Sequence, residues 1–348
     1  MTDNPDAPLR LRLDGEALAA NWTALAKLSG AAACGAAVKA NGYGLGAVEV
    51  ARRLADAGCR DFFVATWTEA QEIAPFGLSV SVLHGVREVE LATALAGLAR
   101  PVLNTARQIA RWREAGGGRC DVMVDTGMNR LGVAPRDVAA GLLDGLSIDT
   151  LHSHLACADE PGSPINEQQR ARFAALAGRT GARRLSLANS AGIALGSGYA
   201  FDLTRPGLAL YGGVPVADLG SRLRQVVRPE AEILQRRRVP AGDTVGYNAT
   251  WTAPADTEVA VINLGYADGY RRAFSNVGGA RIGGASLPVI GRVSMDLVAL
   301  DVTDAPTLGE GDCVEIAYDL PAQAHASGVS QYELLTGLGR RFDRYWGS

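Results

Sequence analysis

The residues of this sequence that could do chemistry are few, and most stand beside glycine. Lys39 ends the apolar run Ala36-Ala37-Val38, and Gly42 and Gly44 follow within the next turn of chain. Apolar walls disfavour an ammonium and lower its pKa, and the neutral amine can then attack a carbonyl carbon and form a Schiff base. Arg130 lies in Asp125-Thr126-Gly127-Met128-Asn129-Arg130-Leu131-Gly132. A guanidinium fork on such a loop can grip a carboxylate or a phenolate, or simply pair with Asp125. His152 and His154 would share one face of a strand, but no third ligand completes a metal site beside them. Asn189-Ser190-Ala191-Gly192 brings a hydroxyl to a helix start, which suits either a phosphate or an ordinary cap. Arg205, at the head of Arg205-Pro206-Gly207-Leu208, carries only donors. Tyr247, in Val245-Gly246-Tyr247-Asn248-Ala249-Thr250-Trp251, is a poor base unless a cation or hydrogen bond lowers its pKa.

These residues need a scaffold that brings strand ends together. Short apolar runs alternate with amphipathic helices through the first two thirds of the chain. Strands are expected at Gly35–Val38, Asp61–Ala65, Val80–Leu83, Pro101–Leu103, Asp121–Val124, Asp149–Ser153, Arg184–Leu187 and Leu203–Arg205. A helix is expected over Gly15–Leu28, another ending at Gly58, and another capped by Asn104. Eight strands alternating with helices predict a (β/α)8 barrel of the TIM type. Lys39, His154, Asn189 and Arg205 fall at the carboxyl ends of its strands, the face where such barrels build sites. Beyond about Gly220 the rhythm changes to short strands separated by turns, among them Ala231–Leu234, Glu258–Leu264, Leu287–Ile290, Leu297–Val302 and Val314–Ala317. A last helix should start at the capping box Ser330-Gln331-Tyr332-Glu333. The expected division is a barrel over residues 12–222 and a mainly β C-terminal domain, residues 223–348, joined by an N-terminal strand within residues 1–11.

Composition narrows the function classes. The 348 residues carry a formal net charge of −3, which argues against a nucleic-acid surface. The five cysteines show no metal or redox spacing, and Met1 to Pro8 has no apolar signal core, so a reducing cytoplasm is the expected setting. No apolar run is long enough to span a bilayer.

The stretch Val38-Lys39-Ala40-Asn41-Gly42-Tyr43-Gly44-Leu45-Gly46 closely resembles the pyridoxal-phosphate lysine motif of alanine racemases. The resemblance runs from Leu9 to Trp346, with the motifs in family order at family spacing. It implies interconversion of L- and D-alanine on pyridoxal 5'-phosphate, supplying D-alanine for peptidoglycan. Lys39 would hold the cofactor and serve one face of Cα, and Tyr247 the other. Tyr43, Ser190, Gly207 and Leu208 would bind the phosphate. His154 would pack on the pyridine ring and hydrogen-bond an arginine, and Arg205 would face the ring nitrogen. Arg130, the Met295 backbone and Asp296 would bind substrate, with Tyr266 narrowing the entrance. A head-to-tail homodimer with shared active sites is also implied. Two departures stand out. Met123 occupies the position where most members carry a carbamylated lysine, so Arg130 must be balanced by Asp125, an anion or water. Leu338-Gly339-Arg340 stands where some members have a phosphate-binding tyrosine. The rival readings are a broad-specificity racemase, a related barrel decarboxylase and a non-enzymatic pyridoxal-phosphate carrier.

Overall fold

The computed structural model describes residues 7–347; Met1 to Asp6, at the start of the polar N-terminal stretch, and Ser348 lie outside the described residues. The chain divides into two compact units, one from Leu18 to Arg224 and one made of the segments ending at Ala17 and beginning at Gln225.

The first unit is a parallel barrel. Strands Ala36–Ala37, Asp61–Val64, Ser79–Val82, Arg100–Leu103, Cys120–Met123, Ile148–His152 and Arg184–Ser186 lie side by side in chain order. The eighth, Leu203–Thr204, pairs in parallel with Ala33–Cys34. Backbone bonds from Arg205 to Ala188 (2.8 Å) and from Ala37 to Pro206 (2.9 Å) close the ring on both sides of it. Parallel strands must be covered on both faces, so they read as near-continuous apolar runs. Phe62, Phe63, Val64, Val82, Val102, Leu103, Val122 and Leu151 are accordingly buried. Outer helices follow the sequence rhythm. Ala47–Asp56 turns Val50, Ala51 and Leu54 inward, and Trp67–Ile73 starts from a capping box in which Thr66 and Glu69 exchange bonds with each other's backbone. One expected cap is corrected: Thr105, not Asn104, caps Ala106–Glu114. The Asn104 amide is spent on the carbonyls of Leu83 and Val102 between strands.

Polar groups fill the barrel around the first residues of its strands. Arg184 forks onto Asp61 at 2.7 and 3.0 Å and reaches Asp149 at 2.9 Å. Arg183 adds a second cation to Asp149 at 2.7 Å. Ser81 donates to Asp121 at 2.6 Å, and Arg100 lies 3.4 Å from the same carboxylate. Burial alone would raise the Asp149 carboxyl, but the Arg183 and Arg184 bonds and the Arg100 charge outweigh it and hold it well below the carboxylate range.

The second unit is an antiparallel β structure. Val227–Val239 pairs with Thr257–Ile262 along one stretch and Cys313–Ile316 along another. Val298–Asp301, Ala285–Ile290 and Gly279–Ile282 complete a ring of six. Leu9–Asp14 adds to Val227–Val239 antiparallel, and Asp343–Gly347 adds to Leu9–Asp14 in parallel. Val227–Val239 is longer than the expected Ala231–Leu234. Its second half, Gln235-Arg236-Arg237-Arg238, carries no apolar signal, because a register shift between Ile233 and Gln235 turns that stretch toward solvent. The final helix Gln331–Thr336 starts at the Ser330 capping box. Among the described residues, no helix is long and apolar enough to cross a membrane.

Arg184→Ala leaves Asp61 and Asp149 without their shared cation, and breaking a buried pair from one side costs about 3–5 kcal/mol. Urea unfolding should show a loss of that size at pH 7. The Asp149 pKa is lowered in the folded state, so its share of stability is complete above the unfolded carboxyl value and fades as pH falls through the folded one. The gap between variant and wild type should therefore narrow below about pH 4.

Candidate active site

Lys39 lies one residue beyond the end of the first barrel strand, after Val38, and opens a turn of unusual hand. Ala40 and Asn41 have φ 54° and ψ 49°, Gly42 has φ 61°, and Tyr43 has φ 54°. This is a left-handed helical turn, in which each non-glycine residue costs roughly 1–2 kcal/mol. Bonds from Gly42 to Val38 (2.8 Å) and from Gly44 to Ala40 (2.9 Å) close it, and Asn41 Oδ1 accepts from Ala47 at 2.9 Å. Tyr43 stacks on Tyr211 with ring centroids 4.6 Å apart, and the buried Tyr211 hydroxyl donates to the Ala37 carbonyl at 2.8 Å. Glu69 accepts from the Ala40 N–H at 2.7 Å. The turn is thus held from both sides.

The Tyr43 hydroxyl points at Gly207, so closely that a Cβ on Gly207 would collide with it. Asn189 caps the helix Ser190–Ala194, accepting from Gly192 at 2.8 Å. That frees the Ser190 hydroxyl, which accepts from the N–H groups of Gly207 (2.9 Å) and Ala209 (3.2 Å). Leu208 is buried beside them. The result is a cluster of hydroxyls and backbone amides beyond the last strand. Next to it, Arg205 is 7% exposed; its guanidinium donates to the Ser186 hydroxyl and to the Ser153 carbonyl at 2.6 Å. The arginine bond expected of His154 is not formed among the described residues, because these neutral oxygens take the fork instead. Among the described residues no carboxylate is bonded to Arg205; burial pushes its pKa down to about 10, with Asp121 opposing the fall.

The charges at this end of the barrel are mostly positive. Burial, then the neighbouring charge of Arg130, lowers the Lys39 ammonium pKa; Glu69 opposes the shift and Arg205 adds to it. Burial and the charges of Arg205, Arg130 and Lys39 push His154 down to about 3, so it is neutral. Arg130 is exposed on its loop. Asp125 does not pair with it: Asp125 Oδ1 accepts instead from the N–H groups of Gly127, Met128 and Asn129 at 2.9–3.1 Å, which shapes the loop. Met123, buried behind that loop, brings no charge. His152 points into the barrel; burial, with the charges of Arg205 and Arg100, pushes it down to about 4 against the opposing pull of Asp121, 3.6 Å away.

Four expected site residues lie in the β unit. Tyr247 sits in the turn between Thr244–Val245 and Trp251–Thr252 and is 61% exposed. Tyr266 and Met295 are also exposed, and their loops are stapled together. Tyr266 donates to Ser294 and Ala267 to Met295, both at 3.0 Å, and a Cβ on Gly265 would fall on the Met295 carbonyl. Arg341 then forks onto buried Asp268 at 2.6 and 2.9 Å and binds Asp296 at 2.7 Å. Sequence reasoning missed Arg341, since nothing local announces a partner 73 residues away. It also missed Ser186 and Tyr211, buried supports of Arg205 and of the turn. Glu69 had a readable signal, the Thr66-Trp67-Thr68-Glu69 capping pattern.

Comparison with known proteins agrees along the whole chain. The family of alanine racemase N-terminal domains matches residues 13–215, and that of alanine racemase C-terminal domains matches residues 226–346. An alanine racemase of Acidiphilium cryptum is 45% identical over 96% of this chain and 97% of its own. Agrobacterium fabrum has two similar proteins, named biosynthetic and catabolic alanine racemase, 40% and 42% identical over 98% and 96% of this chain and 94% and 91% of their own. The crystal structure of alanine racemase from Bartonella henselae with covalently bound pyridoxal phosphate superposes with a TM-score of 0.90 at 34% identity, covering 98% of this chain and all of that one. Both family models, together covering residues 13–215 and 226–346, and relatives matched over nearly the full length give the same answer: this chain belongs to the alanine racemase family.

Proposed function

We propose that this protein interconverts L- and D-alanine with pyridoxal 5'-phosphate bound at Lys39. The observation that carries the reading is Lys39 itself, an amine whose charged form is disfavoured by burial and by Arg130, fixed on a strained turn at a barrel mouth. The residues present fit the cofactor. Gly207 lacks the Cβ that would block the Tyr43 hydroxyl, and the Ser190 and Tyr43 hydroxyls and the Leu208 amide suit a phosphate, with the Gly207 N–H donating to the Ser190 hydroxyl beside them. When bound, the cofactor supplies an aldehyde that links to amines and a ring that takes up the electron pair left at Cα.

The side chains do the rest. With the cofactor bound, the Lys39 amine would take or return a proton at one face of Cα. The Tyr247 hydroxyl does so at the opposite face; two opposed bases let a proton leave one side and arrive on the other. Arg130 orients the substrate carboxylate, and the Met295 backbone and Asp296 bind from the β unit. Tyr266 narrows the entrance. Neutral His154 would pack on the ring without adding a charge. Arg205 would face the ring nitrogen as a donor-only group that stays cationic at neutral pH, where a carboxylate is absent. The decarboxylase reading is weakened by the same donor-only group, since related decarboxylases place an acid there.

The active form is a cytoplasmic homodimer in which the β unit of one subunit covers the barrel mouth of the other, and its D-alanine feeds peptidoglycan. The exposed Tyr247, Tyr266 and Met295 support that arrangement, since a base and a substrate-binding loop work only when water is excluded from them.

Purified protein given L-alanine in deuterated water should form D-alanine with deuterium at Cα. Loss of the carboxylate, or no turnover with the cofactor loaded, would contradict the reading. The shared site has its own test. Lys39→Ala and Tyr247→Phe homodimers should each be nearly inactive; mixed and re-paired at random, roughly a quarter of all sites should regain activity. No recovery after verified subunit exchange would place both bases in one subunit.

A further inference from the structure

The left-handed turn that carries Lys39 needs an outside partner for its first free amide. The Ala40 N–H follows the lysine directly, and a helical turn leaves its first N–H groups without partners of their own. Glu69 supplies the acceptor from another element. It sits in the first turn of Trp67–Ile73, the helix after the second barrel strand, and it is not one of the residues to which the reaction above gives a role.

We propose that Glu69 is a positioning residue for Lys39, clamping the peptide bond between Lys39 and Ala40 so that the amine keeps its direction. The inference rests on the functional reading of Lys39 given above. The carboxylate divides its two oxygens between two strand ends. Oε1 accepts from Ala40 at 2.7 Å. Oε2 accepts from Ala65 at 2.6 Å and from Thr66 at 3.2 Å. The end of the second strand thereby becomes the reference for the end of the first. The Ala40 N–H shares its peptide plane with the Lys39 carbonyl, so holding it fixes ψ of Lys39 and the start of the strained turn. A plain helix cap explains Oε2 and the bond from Glu69 N–H to Thr66 Oγ1 at 3.3 Å; it does not explain Oε1. The negative charge also opposes the other influences that lower the Lys39 ammonium.

Two substitutions separate the clamp from the cap. Glu69→Asp keeps the charge and the local cap but is one methylene too short to hold Ala40. Thr66→Ala removes the cap's hydroxyl and leaves the bond to Ala40. Hydrogen exchange of the peptide spanning residues 39–46, followed by mass spectrometry on the cofactor-loaded protein, reads the turn directly. Losing the bond should speed exchange there by about ten-fold or more in Glu69→Asp. In Thr66→Ala only the start of the following helix should change. Racemisation should follow the same pattern: kcat falls about ten-fold in Glu69→Asp with KM nearly unchanged, because the effect is on the base and not on substrate binding. Equal effects of the two substitutions on the 39–46 peptide, or no effect of Glu69→Asp there, would overturn the clamp. Borohydride reduction and peptide mapping of each protein keep the two readings apart, because the chain has only one other lysine, Lys27. Cofactor found on Lys27 alone would remove the functional reading. Cofactor on Lys39 with unaltered exchange would remove the role of Glu69 and leave that reading standing.

Discussion

The left-handed turn after the first barrel strand is the constraint from which the rest follows. A right-handed continuation would be the default for L-residues, so Ala40, Asn41 and Tyr43 hold their conformation only because surrounding groups fix it. Those groups are the Ala47 N–H on Asn41, the Glu69 carboxylate on Ala40 and the Tyr43–Tyr211 stack. The turn faces Lys39 one way and the Tyr43 hydroxyl another, toward Gly207. One short segment therefore sets both the reactive amine and one hydroxyl of the polar cluster beyond the last strand.

Charge is distributed unevenly along the barrel axis. Around the strand beginnings, carboxylates and guanidiniums pair closely: Arg184 with Asp61 and Asp149, Arg183 with Asp149. Around Lys39, Arg205 donates to neutral oxygens, Arg130 is exposed, and the nearby Glu69 carboxylate is spent on three backbone N–H groups. Unpaired cations in a partly buried place attract phosphate and carboxylate groups and depress a neighbouring ammonium. Binding of anions and activation of the lysine thus have a common origin. The β unit achieves order differently, through the backbone staple between the Tyr266 and Met295 loops and the Arg341 fork on Asp268 and Asp296.

Much of this was readable in the sequence, for identifiable reasons. Parallel strands buried on both faces leave apolar runs, so all eight barrel strands were visible, and the Lys39 and Arg205 strings lay at their ends. What escaped was set by contacts distant in sequence or by backbone hand. Ala40 and Tyr43 carry no preference for positive φ that would announce a left-handed turn, although Asn41, Gly42 and Gly44 marked the place. The basic half of Val227–Val239 hid a strand, because its side chains face water. Asn104 resembled a cap, but its amide found two carbonyls between strands, and Thr105 took the role. Asp125 had the right charge to balance Arg130, yet three loop amides claim its Oδ1 first.

This fold holds Lys39 as an amine that gives up its proton more readily than a free lysine. The direct measurement is the pH dependence of Lys39 acylation by a small anhydride, followed by peptide mapping of protein freed of cofactor. The midpoint should lie below the ordinary lysine value of about 10.4. A midpoint at or above that value would contradict the account.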